Sequence, residues 1–132
     1  MRITANKWIR FLAALAVAAA PLAAHAAGQQ PFDAKAFQVA QDEGKPVLIE
    51  IHADWCPTCR AQLPILNRLS SESKYSGLVR FRVDFDAQKD AVRSFKATAQ
   101  STLVLYKGKT EVVRSVGETD EARIRTMLDI AL

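Results

Sequence analysis

Cysteine is scarce in this chain: Cys56 and Cys59 are the only two among 132 residues. A bridge between them would close almost no loop, and a structural disulfide gains most by closing a long one. A purely stapling role is therefore a poor reading of the pair. No cysteine follows the apolar N-terminal run, which argues against a lipid anchor at that point. No apolar run matches the roughly 20 residues that a comfortable membrane-spanning helix needs. A basic stripe with interleaved aromatics is absent, so nothing points to nucleic acid. There is no internal repeat, and no low-complexity segment beyond the N-terminus.

What is present begins with Arg2, Lys7 and Arg10, a basic start to an alanine-rich apolar stretch from Phe11 to Ala24. Pro21 lies near the end of that stretch, and Ala24-His25-Ala26 follows as an A-x-A cleavage site. The pattern predicts a cleaved secretory signal peptide over 1–26 and a single domain over 27–132. Removing the three basic residues takes Lys+Arg from 18 to 15 against 14 acidic residues, a net charge of about +1. The basic pI thus belongs mostly to the leader. Export places the two thiols in an oxidising compartment.

The domain reads as an alternation of helices and strands. Asp33 caps a helix to about Glu43, with Phe37 and Ala40 on its inner face. Pro46 to Ala53 is a strand whose β-branched run suits burial on both faces. A second helix starts at Cys56 or Pro57 and runs to about Ser73, with Leu63, Leu66 and Leu69 inward and Pro64 as an expected kink. Leu78 to Phe85 is a strand, and Ala87 to Lys96 a helix. Thr102–Tyr106 and Glu111–Val116 flank Lys107-Gly108-Lys109 as a hairpin. Thr119 caps a last helix with Ile124, Met127, Leu128 and Ala131 inward. The order predicts an α/β fold, a central mixed sheet of four to five strands with helices on both faces.

Trp55-Cys56-Pro57-Thr58-Cys59 stands between a strand and a helix, the setting of a dithiol/disulfide couple. Unpaired N–H groups at a helix N-terminus favour a thiolate. Cys56 is thus the candidate nucleophile, expected to be the more exposed sulfur. Cys59, one turn inward, is the candidate resolving thiol. Pro57 fixes φ in the first turn, and the Thr58 hydroxyl is available to the first sulfur. Glu50 lies on the buried strand, where a carboxylate must titrate or find a partner such as Arg82. His52 shares its side of the strand. It is read as a packing histidine, a cation beside the thiolate, or a third ligand with the cysteines. Trp55 covers the site and shapes a docking surface.

Ala53-Asp54-Trp55-Cys56-x-x-Cys59 resembles the thioredoxin active-site signature, with Pro64 at the position of the family's helix proline. Val83-Asp84-Phe85-Asp86 and Gly117 also fit. The resemblance spans essentially the whole domain and implies a thioredoxin fold, although a clear first strand is missing unless a short one lies around Gln30 to Phe32. Lys45-Pro46-Val47 and Ala-Asp-Trp-Cys resemble periplasmic thiol:disulfide interchange domains.

The resemblance implies further roles. Glu50 occupies the position of a buried acid that shuttles a proton for the resolving cysteine. Ser101 and Thr102 open the segment with which the family docks substrate chains, but Ser101 stands where thioredoxins carry a cis-proline. A non-proline cis bond costs roughly 2.5–4 kcal/mol, so Gln100–Ser101 is expected to be trans or strained. The implied activity is a periplasmic thiol:disulfide oxidoreductase, leaning to reductase. It would act as a monomer on protein thiols and disulfides, supplied by a membrane thiol-electron transporter, with the Cys56–Cys59 disulfide in place of any cofactor. The competing reading is a redox-inert module, or one binding a metal or iron–sulfur cluster through Cys56 and Cys59.

Overall fold

The computed structural model describes residues 28–132, so the signal peptide expected over 1–26 lies outside the described residues. The elements run β1 (Gln29–Pro31), α1 (Ala34–Asp42), β2 (Pro46–His52), α2 (Pro57–Ser70), β3 (Val79–Asp84), α3 (Lys89–Ser94), β4 (Thr102–Lys107), β5 (Thr110–Val116) and α4 (Glu121–Ile130). A 3-10 turn at Ser73–Tyr75 follows α2. The sheet order is β1-β3-β2-β4-β5. β3 is parallel to β1 and β2, whereas β4 is antiparallel to β2 and β5. No helix among the described residues is long and apolar enough to cross a membrane.

Alternation along β2 builds two cores. Val47, Ile49 and Ile51 pack with Phe81, Val83 and Val104 under α1 and α3. Leu48 packs with Leu66, Leu69, Leu103, Leu105, Ile124 and Leu128 under α2 and α4. Successive strand side chains point to opposite faces, so Glu50 and His52 lie on the α2 side with Leu48.

Several boundaries differ from the sequence reading for local reasons. The first strand exists but is short. Pro31 ends it, and proline is tolerated there because β1 is an edge strand. α2 stops at Ser70 rather than Ser73. Its buried face is Cys59, Gln62, Leu66, Leu69 and Ser70, with Leu63 only half-buried. Asp120 rather than Thr119 caps α4, accepting the Arg123 N–H at 2.9 Å. Thr119 instead gives its own N–H to the Glu118 carboxylate.

A buried ion pair ties these layers together. Arg80 is 1 % exposed. Its Nε and Nη2 donate to the two Glu50 carboxylate oxygens at 2.7 and 3.1 Å. Its Nη1 donates to Asn67 Oδ1 and Ser70 Oγ of α2, at 3.0 and 2.8 Å. The Gln29 amide of β1 also donates to Glu50. One guanidinium therefore joins β3, β2 and α2. Removing one partner of such a pair strands a buried charge, whereas replacing both with apolar groups is often tolerated. Arg80→Met should lower the unfolding free energy in urea by about 3–5 kcal/mol. The Arg80→Met/Glu50→Leu double variant should recover most of that loss. A double variant as unstable as Arg80→Met alone would refute this account.

Candidate active site

The site forms where β2 ends and α2 begins. After His52 the chain turns, with the Cys56 N–H bonded to the Ala53 carbonyl at 3.1 Å. Cys56 is the N-cap of α2, in extended conformation, and its sulfur accepts the Cys59 N–H at 3.2 Å. A sulfur thus does what a serine or aspartate oxygen does at most helix starts. Pro57 occupies the first helical turn, where a missing N–H costs nothing. Cys59 follows on the inner face.

Both thiols are free and both are buried. Cys56 is 2 % exposed and Cys59 1 %, so the first sulfur is not the clearly more accessible one that its position predicts. The two pack as a small cluster with Ala53 and Phe85. Their acidities nonetheless diverge. Burial alone pushes the Cys56 thiol up. The Cys59 thiol, the N–H groups of Cys59 and Thr58, and the Ser101 hydroxyl together outweigh it and hold Cys56 below the ordinary cysteine value. Burial, then the Cys56 sulfur, push the Cys59 thiol up to about 11. Thr58 acts here through its backbone N–H rather than through its hydroxyl.

Ser101 faces the pair from the turn before β4. The Gln100–Ser101 bond is trans, and Ser101 takes φ +57°. That left-handed conformation costs a residue with a Cβ roughly 1–2 kcal/mol. Its backbone N–H lowers the Cys59 thiol, opposing the burial that raises it. Its hydroxyl donates to the Gln100 carbonyl at 2.6 Å and also helps to lower the Cys56 thiol. Thr102, expected at a docking surface, is instead 1 % exposed. Its hydroxyl donates to the Ala99 carbonyl at 2.7 Å, so its side chain presents nothing to a partner.

Glu50 is engaged by Arg80, not by the expected Arg82, and both its oxygens accept hydrogen bonds. Arg82 instead binds Asp54. His52 is buried, with Nε2 3.3 Å from Asp54 Oδ1. Burial, then the Arg82 charge, lower its pKa. The imidazole is therefore neutral at neutral pH, not the cation considered from sequence. Asp54 itself is held below the usual carboxylate range by the Arg82 guanidinium. Trp55 is 56 % exposed, its indole N–H donating to Asp86 Oδ2 at 2.7 Å. Among the described residues, no group of three or more His, Cys, Asp or Glu is arranged to hold a metal ion.

Two participants were not picked out from the sequence. Arg80 lies two residues from Arg82 on the same face of β3, and alternation alone does not choose between them. Gln62 continues the Cys59–Leu66–Leu69 face at helical spacing. That periodicity is the signal that could have revealed it.

Comparison with known proteins agrees with this geometry. The family model for Thioredoxin matches residues 28–130. A thioredoxin H-type from Fagopyrum esculentum is 37 % identical over 81 residues, covering 61 % of this chain and 68 % of that protein. A thioredoxin from Mycobacterium tuberculosis is 31 % identical over 87 residues, covering 65 % and 74 %. The crystal structure of Trxlp from Edwardsiella tarda superposes with a TM-score of 0.75 at 40 % identity, covering 76 % of this chain and 98 % of that one. Thioredoxin O2 from Arabidopsis thaliana, in its oxidized state, gives 0.64 at 28 % identity over 72 % and 82 %. A paired dithiol at the head of α2, on a sheet shared with these proteins, makes the chain a thiol:disulfide oxidoreductase and a member of the thioredoxin family.

Proposed function

We propose that this protein is an exported disulfide reductase that acts on protein disulfides outside the cytoplasm, in a periplasm. The observation that carries the chemistry is the placement of the two thiols, Cys56 at the N-cap of α2 with its sulfur accepting the Cys59 N–H and Cys59 on the inner face, which opposes their acidities. Exchange needs a thiolate to attack and a protonated partner held in reserve. Cys56 supplies the first and Cys59 the second.

The steps balance as follows. The Cys56 thiolate attacks one sulfur of a substrate disulfide, forming a mixed disulfide. The other substrate sulfur leaves as a thiolate and takes up a proton. Cys59 then gives its proton to solvent and attacks Cys56 Sγ, breaking the mixed disulfide, and the second substrate sulfur leaves as a thiolate that takes up a proton. The substrate leaves as a dithiol, and two electrons have passed from the cysteines to it. The Cys56–Cys59 disulfide that results must be reduced again, for which a membrane thiol-electron transporter is the fitting donor. Trp55 and Ser101 border the reacting sulfur and would meet the substrate chain. Glu50 serves as the anchor of Arg80. The leader over 1–26, with its A-x-A site, supports export, and a single domain working alone is sufficient for every step.

Two measurements test this reading. Limited alkylation of the reduced protein, followed by mass spectrometry, should label Cys56 first. Its rate should rise with pH below the range of an ordinary cysteine, while Cys59 resists labelling until about pH 11. Equal labelling of both cysteines across that range would remove the basis for the assignment. The protein should also reduce insulin disulfides, and Cys56→Ser should abolish the activity. A glutathione redox titration should place the couple near about −200 mV or lower, whereas a value near about −120 mV would make it an oxidase.

A further inference from the structure

We propose that Gln62 is a positioning residue for the dithiol: its buried side-chain amide pins Ser101 in the conformation that aims the serine hydroxyl at Cys56. The inference rests on the reading of Cys56 as the attacking thiol, and adds a residue that the Cys-x-x-Cys motif does not contain.

Gln62 is 4 % exposed on the inner face of α2. Its Nε2 donates to the Ser101 carbonyl at 3.2 Å and to the Glu118 carbonyl at 2.9 Å. Both neighbours are acceptors only, so the amide nitrogen and not its oxygen must face them. The same Ser101 carbonyl accepts the Gly117 N–H at 2.9 Å. Ser101 needs such restraint. A serine at φ +57° persists only where its surroundings over-determine it. In that left-handed turn the hydroxyl of Ser101 acts on the Cys56 thiol and its N–H on the Cys59 thiol. The hydroxyl has one proton, for which the Cys56 sulfur competes with the Gln100 carbonyl. With Cys56 protonated it is given to the Gln100 carbonyl. When Cys56 becomes a thiolate the sulfur is the stronger acceptor, and reorientation of the serine hydroxyl turns the same O–H toward it. Gln62 touches neither sulfur, so it acts only through where Ser101 is held.

The arrangement also links three segments. α2 carries the thiols, the turn at Ser101 faces them, and the Glu118 turn leads into α4. A single amide holds all three in register. An apolar side chain of similar size would fill the space but take its donor from the Glu118 carbonyl and leave the Ser101 carbonyl with the Gly117 N–H alone.

The test follows the thiolate absorbance of the reduced, full-length protein against pH, in a double-mutant cycle with Ser101→Ala. Gln62→Met should move the Cys56 titration up by about one pH unit, the scale of one lost hydrogen bond to the charged form. Ser101→Ala should do the same, and the double variant should go no further. At a pH below these titrations the thiolate fraction falls about tenfold, and the gain in nucleophilicity recovers part of it, so exchange slows about threefold. An unchanged titration in Gln62→Met, or an effect that adds fully to that of Ser101→Ala, would overturn the proposal. A second measurement needs no variant. In the wild-type protein the NMR signals of the Gln62 side-chain amide should shift through the Cys56 titration, and signals that stay fixed would equally overturn it. Inactivity of the wild-type protein on insulin would count against the reductase reading instead, leaving the titration to decide the role of Gln62.

Discussion

The ion pair between Glu50 and Arg80 is the constraint on which the rest of the structure depends. A guanidinium at 1 % exposure is expensive to desolvate, and only a full set of acceptors makes it tolerable. Those acceptors come from two separate elements, the Glu50 carboxylate of β2 and the Asn67 and Ser70 side chains of α2. Satisfying Arg80 therefore fixes the rotation of α2 over the sheet. That rotation decides where the first turn of the helix lies, and with it the two sulfurs. The hydrophobic contacts of Leu66 and Leu69 supply attraction but are less particular about register.

With α2 seated, the asymmetry of the dithiol follows from two opposed effects. Burial penalises both thiolates. Only Cys56 receives enough hydrogen bonds to overcome it, first from the Cys59 thiol and then from the N–H groups of the first turn, before which the N-cap position places its sulfur. Cys59, inside the turn, has burial and a neighbouring sulfur against it. The difference in reactivity between chemically identical groups is thus a consequence of three residues of helical geometry. The rim around them is polar and locally paired, with His52, Asp54 and Arg82 in one cluster and Trp55 tied to Asp86.

Much of this was legible in the chain. The β-branched apolar run from Pro46 and helical spacing in Pro57–Ser70 identify the strand and helix that flank Cys56, and the hairpin around Gly108 is explicit. The strand Gln29–Pro31 was harder to read. Three residues ending in proline carry almost no periodic signal, and parallel pairing with β3 alone makes them a strand. The α4 cap was misplaced by one residue because Thr119 and Asp120 are both competent caps, and the Glu118 carboxylate decides between them. Thr102 looked available beside Ser101, yet alternation along β4 turns it into the sheet.

By itself the sequence determined the class of fold, the position of the dithiol and its place between a strand and a helix. These depend on local spacing, and spacing is written directly in the chain. Tertiary structure alone decided which arginine meets Glu50, that Ser101 is left-handed on a trans bond, and that Gln62 holds it there. Each of those is a contact between residues far apart in sequence. The choice among competing partners is made by the geometry of packing, and a linear pattern carries no distance across a sheet.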